Sequence, residues 1–230
     1  ALALYLRTPF GRLDSRNPDV AALAEALDRS AGSVALKLVN LAALDPTLDR
    51  AGMANAARLD REVWADFFAD PVAVLAGVEA RAATAIDEAP APPPRPGVGR
   101  DVETLARARR GQDLFRTAVL TAYGERCAVT GLDDPRLLTA SHIEPWAEAA
   151  DHRLDPTNGL CLNALHDRAF DRGLIVVEDD LAVRVSPRLA PEARAWFARP
   201  EHARLRPPER FRPSPARLAA HRARWRENFA

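Results

Sequence analysis

The sequence predicts an α+β protein in two parts, a mostly helical N-terminal piece and a C-terminal β–loop–β–α motif. Three observations predict it. Up to about residue 86 apolar residues recur at helical spacing. Residues 87–99, DEAPAPPPRPGVG, hold successive prolines that remove backbone donors and force an extended chain, so they read as a semi-rigid spacer. Residues 138–176, LTASHIEPWAEAADHRLDPTNGLCLNALHDRAFDRGLIV, hold two short β-compatible runs, a polar loop and two helical turns. The expected organisation is a helical domain over 1–86, a linker over 87–99, a second domain over 100–200 and an arginine-rich extension over 201–230.

In NPDVAALAEALDRS (17–30), Val20, Leu23, Ala24 and Leu27 form one stripe, Asn17 is placed to cap the helix and Pro18 sits at its first position. A break at Arg29–Gly32 precedes SVALKLVNLAAL (33–44). There Val34, Leu38 and Leu41 mark a buried face, while Ser33, Lys37 and Asn40 lie on another. Two short helices joined by a tight turn, the second showing polar and basic side chains, outline a winged-helix or helix-turn-helix-like DNA reader. Any helical hairpin gives the same outline. LDREVWADFFADPVAVLAGV (59–78) adds further helix, with Trp64, Phe67 and Phe68 expected in the core.

After the spacer, DVETLARARRGQDLFRTAVLTAYGERC (101–127) reads as a long helix through about Tyr123, closed by Gly124. Leu114, Ala118 and Thr121 or Ala122 mark one side of it. LLTASHI and GLCL follow as strands around the loop EPWAEAADHRLDPTN, and NALHDRAFD is a short helix ending at Gly173. LIVVEDDLAVRV is expected to be a hairpin whose turn is the acidic Glu178–Asp180.

Composition narrows the functional classes. No apolar run reaches the length of a transmembrane helix, and the first residues lack the basic-then-apolar order of a signal peptide, so a cytoplasmic, reducing setting is expected. Cys127 and Cys161 are too few for a disulfide framework and form no CxxC pair, so no structural zinc is expected. The net charge of zero conceals a gradient, since residues 187–230 carry eleven arginines against four glutamates. An arginine fork donates two parallel hydrogen bonds to phosphate, which makes Arg222, Arg224 and Arg226 candidate DNA contacts. An ordinary solvated helix, in a sequence that uses arginine almost to the exclusion of lysine, accounts for the same run.

His142, Asn158 and His166 are 16 and 8 residues apart, intervals that match neither helix nor strand. Such residues meet only if different elements bring them together. A β-hairpin packed on a helix can hold a divalent cation between them, with a histidine near by to activate water. Imidazole suits that work because it titrates near neutral pH.

RCAVTG, then ASHIEPW, then DPTNGLCLNALHDRAFDRGLI, in that order, resembles the HNH endonuclease family, in its bacterial branch with a Ser-His-Ile-x-Pro-Trp core. The likeness covers about residues 107–186. It implies a ββα-metal nuclease fold, with His142 as general base, Asn158 as a structural clamp and His166 as a metal ligand. Asp171, in AFDRG, is implied as a second ligand or as the group that orients one, with Asp167 competing for that role. Many family members place an aspartate or histidine just before the base as a ligand. Here that position is Ser141, a neutral hydroxyl and a poor donor to a hard cation.

The resemblance implies Mg²⁺ or Mn²⁺ as cofactor, double-stranded DNA as substrate and a restriction-type role with the target, or a modified base, chosen by the N-terminal part. A two-fold dimer would cut both strands. A DNA-binding regulator on a decayed nuclease scaffold and an RNA-cleaving toxin are the rival readings. Ser141 favours the first of these, and retention of His142, Asn158 and His166 together counts against it.

Overall fold

The computed structural model describes residues 1–46, 48, 56–71, 74, 100–149 and 153–230, and within 100–110 the backbone only. The spacer expected at 87–99 lies outside the described residues. The chain is α+β. It begins with α1 (Leu2–Arg7), α2 (Pro18–Ala26), α3 (Ala31–Ala42) and α4 (Arg58–Ala69). The long helix α5 (Arg100–Ala122) leads into β1 (Leu138–His142), β2 (Gly159–Asn163) and α6 (Ala164–Asp171). A second hairpin, β3 (Ile175–Val177) and β4 (Val183–Val185), precedes α7 (Pro191–Phe197) and α8 (Pro215–Arg224). No helix among the described residues is long and apolar enough to cross a membrane.

Local chemistry sets the helix ends. The Asn17 side chain accepts from the Asp19 N–H at 2.9 Å with Pro18 in the first turn of α2. Ser30 caps α3 by accepting from the Ser33 N–H at 3.2 Å, so this helix starts two residues before the Ser33 that periodicity alone marks. Asp28, at φ 49°, makes the left-handed turn between the two helices, a conformation that aspartate tolerates. Gly124, at φ 61°, ends α5 as expected.

Among the described residues the N-terminal part contains no strand that could form the wing of a winged helix. α1, α2, α3 and α4 enclose a core that includes Tyr5, Leu6, Val20, Leu38 and Phe67. Each such fully buried side chain contributes roughly 1.5–3 kcal/mol. Trp64 and Phe68 pack at its edge, their rings 5.0 Å apart.

The helix α5 serves two cores. Ala118 and Ala122 are buried against the N-terminal helices, whereas Phe115 and Val119, on the adjoining face, enter the core of the β–loop–β–α unit. β2 runs so close to α5 that a Cβ on Gly159 would collide with the Val119 and Phe115 side chains, which explains the glycine there.

Residues 201–230 pack into both cores. Leu205 and Leu218 join the core of the C-terminal unit and Phe211 joins the N-terminal one. Arg210 is 1% exposed. Its guanidinium donates to the carbonyls of Tyr5 at 2.7 Å and Leu6 at 3.1 Å and lies 4.5 Å from the centre of the Tyr5 ring. Charge-assisted hydrogen bonds of this type contribute roughly 1.5–3 kcal/mol each, so this single arginine fastens the C-terminal segment to α1.

Candidate active site

Strand β1 pairs antiparallel with β2 in a register that sets His142 opposite Gly159 and Ser141 opposite Leu160. β2 passes directly into α6 through Asn163, whose side-chain oxygen accepts from the N–H groups of Leu165 and His166 at 3.1 and 3.0 Å. The elements are therefore a hairpin with a helix capped onto its second strand.

His142 ends β1. Its ring stacks on Phe115 of α5 at 4.1 Å and 11°, and Trp146 meets it edge-on at 5.6 Å. Its Nε2 is 2.9 Å from the Arg153 carbonyl oxygen. A carbonyl only accepts, so the proton sits on Nε2 and Nδ1 keeps its lone pair. Burial lowers the imidazole pKa below its ordinary value, a shift partly opposed by the Arg153 carbonyl and the charge of Asp167. At neutral pH His142 is an oriented, uncharged base.

Asn158 has no exposure. Its side chain accepts from the Glu144 N–H at 2.9 Å and donates to the Glu144 carbonyl at 3.3 Å. Its own carbonyl accepts from the Ile143 N–H at 2.9 Å. These bonds fix the chain just after His142. The loop is braced further by Arg217 of α8, which donates to Thr157 Oγ1 at 2.6 Å and to Asp155 at 2.9 Å.

A cavity of about 490 Å³ opens beside His142, and Ser141, Trp146, Asp167, Asp171 and Trp225 share its lining. Asp167 and Asp171 are one helical turn apart on α6. Burial, reinforced by the charge of Asp167, pushes the Asp171 carboxyl above its ordinary pKa, although Asp171 keeps one flank open to solvent. Ser141 is 2% exposed and its Oγ has no hydrogen-bond partner among the described residues. Two hard oxygen donors under mutual repulsion and an unsatisfied buried hydroxyl suit a hard divalent cation that keeps several of its waters. Among the described residues no three His, Cys, Asp or Glu side chains converge as ligands.

His166 is not in this cavity. It is 1% exposed and its ring lies 5.4 Å from Trp196, 5.2 Å from Phe197 and 5.1 Å from His202. Its Nδ1 donates to the Asn163 side-chain oxygen at 3.1 Å. Adjacent helical residues point about 100° apart, so when Asp167 faces the cavity His166 faces the core. His166 therefore does not line the cavity that Asp167 and Asp171 share, and its Nε2, buried among these rings, has no hydrogen-bond partner among the described residues. The signal for the shared cavity was the i, i+4 spacing of Asp167 and Asp171.

The expected DNA contacts fare differently from one another. Lys37 donates to both oxygens of Asp60 at 2.8 and 3.0 Å, and Asn40 is 8% exposed. Lys37 is thus held in an ion pair while its side chain stays 41% exposed, Asn40 is buried, and Ser33 is exposed. In the tail, Arg222 donates to the Val177 carbonyl and to Asp179, each at 2.7 Å. Arg224 forms a fork with Glu148 at 2.6 and 2.8 Å. These two arginines tie α8 to the acidic β3–β4 turn and to the loop after Trp146. Arg226 is exposed.

Two histidines here give the fold an acid limit. Burial first, with His202 adding to it, pushes His166 down to about 4. Burial also pushes His221, stacked on Phe170 at 3.8 Å, down to about 4. The unfolded chain protonates these groups near pH 6.5 and the folded one only near 4, so between those values the unfolded state binds more protons. Stability is expected to fall as pH drops from 6.5 to 4, by on the order of 2 kcal/mol for each histidine. Urea midpoints across that range check this, and His221→Phe should flatten the decline. A midpoint unchanged from pH 7 to 4.5 would contradict it.

Residues 127–178 match the family model described as HNH endonuclease. Among solved structures the chain is similar to a "Modification dependent TagI restriction endonuclease", at 23% identity and a TM-score of 0.37. That alignment covers 48% of this chain and 36% of the other, so the chain spans little more than a third of its length. No curated protein matches the chain.

Proposed function

We propose, from the match of residues 127–178 to the HNH endonuclease family model, that this chain is an endonuclease that hydrolyses phosphodiester bonds of double-stranded DNA with the help of a divalent cation. The observation that carries the reading is the shared cavity, in which an oriented neutral His142 and the carboxylates of Asp167 and Asp171 face the same space.

His142 Nδ1 takes a proton from water as the water oxygen attacks phosphorus. The bond from phosphorus to the 3′-oxygen breaks, that oxygen takes a proton from solvent water to become a hydroxyl, and His142 returns its own proton to solvent. The ends are a 5′-phosphate and a 3′-hydroxyl. The Arg153 carbonyl holds the imidazole in the tautomer that can accept the proton, and stabilises the imidazolium that results. Asn158 and Arg217 hold the loop that carries this carbonyl. Asp167 and Asp171, with the Ser141 hydroxyl at hand, would hold Mg²⁺ or Mn²⁺, which supplies charge neutralisation for the phosphate and for the departing oxygen.

Restriction of foreign or modified DNA is the biological setting of this proposal. The N-terminal helices, joined to the nuclease unit through α5, would select the target, and a two-fold dimer would cut both strands. Plasmids from methylating and non-methylating hosts, incubated with Mg²⁺, Mn²⁺ or EDTA, test it. Cutting that needs the metal is expected, with a preference between the two plasmids. Tight binding of DNA without cutting in any lane would favour the regulator instead.

A further inference from the structure

The segment Asp167-Arg168-Ala169-Phe170-Asp171-Arg172 repeats an acid–arginine doublet after four residues. Asp167, Arg168 and Asp171 belong to α6 and Arg172 is the residue that caps its end, so the two doublets lie about one turn, roughly 6 Å, apart along the helix. All four side chains line the cavity that holds His142. Arg168 and Arg172 are exposed. Among the described residues neither makes a hydrogen bond or an ion pair through its guanidinium, in contrast to Arg224 on the same cavity, whose fork is filled by Glu148. The backbone of Arg172 is nevertheless pinned, because the Asn228 side chain donates to its carbonyl at 3.2 Å.

We infer that Arg168 and Arg172 form the phosphate grip of the nuclease, holding the DNA backbone against the catalytic cavity. The inference rests on the DNA-cleaving reading above and names the residues that seat its substrate. The electrostatics require such a grip. Asp167 and Asp171 alone would present two negative charges to an incoming phosphate, and the two arginines cancel them before any cation arrives. Guanidinium forks suit the task because each can donate two parallel hydrogen bonds to one phosphate. Two forks one turn apart engage neighbouring phosphates of one strand and so fix its direction past His142. Phosphate contacts of this type set register and position without reading sequence.

The test uses His142→Ala protein in EDTA, so that binding is measured without cutting. The salt dependence of its affinity for a short DNA duplex is compared with that of the same protein carrying R168Q and R172Q. The logarithmic slope is expected to fall by roughly 2, about 0.9 for each phosphate no longer held, with affinity weakened about tenfold or more near 0.1 M salt. R168K and R172K keep the charge and should keep most of the slope, which separates a missing phosphate grip from a damaged fold. An unchanged slope in the glutamine variant overturns the grip and leaves the nuclease reading intact. If the parent protein binds no duplex even at low salt, the DNA reading falls and the grip with it.

Discussion

Replacing His142 by alanine is expected to lower the rate of metal-dependent DNA cleavage by about 10²–10⁴-fold, the usual contribution of a positioned general base. The size of the effect follows from the specificity of the site. The lone pair on Nδ1 is available only because Nε2 is committed to the Arg153 carbonyl, and the ring plane is fixed by stacking on Phe115. Among the described residues the other imidazole that lines the cavity is that of His221, whose Nε2 is bound to the Phe170 carbonyl at 3.1 Å and whose ring stacks on Phe170. The pH profile gives an independent check. Burial lowers the His142 pKa, so the base stays unprotonated below the pH at which an exposed histidine takes up its proton. Cleavage should therefore hold its plateau as pH falls through 6.5 and decline only below that. Quantitative nicking of supercoiled plasmid, with the thermal midpoint as a control for folding, measures both. An alanine variant that retains a tenth of the wild-type rate would remove His142 from the chemistry.

What could be read from the sequence divides along a physical line. The order of strand, loop, strand and helix was legible because short-range signals fix it: Asn163 caps α6, Gly124 ends α5, and the alternation in LLTASHI belongs to a strand. The place of His142 at the end of a strand was legible for the same reason, whereas the role of base expected of it came from the family resemblance. Facts that depend on partners distant in the chain were not legible. The eleven arginines of the last segment look like an open basic surface when they are counted, yet Arg224 finds Glu148, 76 residues earlier, and Arg222 finds Asp179, 43 residues earlier. Lys37 likewise spends its charge on Asp60, which also accepts from the Ala57 N–H at the start of α4. A charge count reports how many cations a segment has and says nothing of which carboxylates reach them. The two-core role of α5 was half visible: Leu114, Ala118 and Ala122 marked one side, and the second stripe, Phe115 and Val119, becomes recognisable only when β2 is seen lying on it.

Asp167 and His166 are neighbours in sequence, and their replacements are expected to fail in opposite ways. Asp167→Asn should lower metal-dependent cleavage by about 10²-fold or more, because even groups that merely orient a metal ligand cost 10–100-fold when removed. Folding should survive, since Asp167 lies on the cavity side of α6 and its charge is one cause of the raised Asp171 pKa. An acid whose pKa is raised by folding is destabilising at neutral pH, so relieving that repulsion should leave the metal-free protein as stable as before or slightly more so. Added Mn²⁺ should raise the melting temperature of the wild type by mass action and do so far less in the variant. His166→Ala removes a ring enclosed by Trp196, Phe197 and His202, together with the hydrogen bond that its Nδ1 gives to Asn163 at the start of α6. The expected result is a loss of about 2–4 kcal/mol in unfolding free energy, with the Mn²⁺-induced shift retained in the protein that remains folded. If His166→Ala instead abolished the Mn²⁺ shift at unchanged stability while Asp167→Asn preserved it, the ligand would be the histidine and the assignment of the cavity to the two aspartates would be wrong. The two side chains leave one short helix about 100° apart, so one ties the helix to the core while the other presents its charge to the cavity.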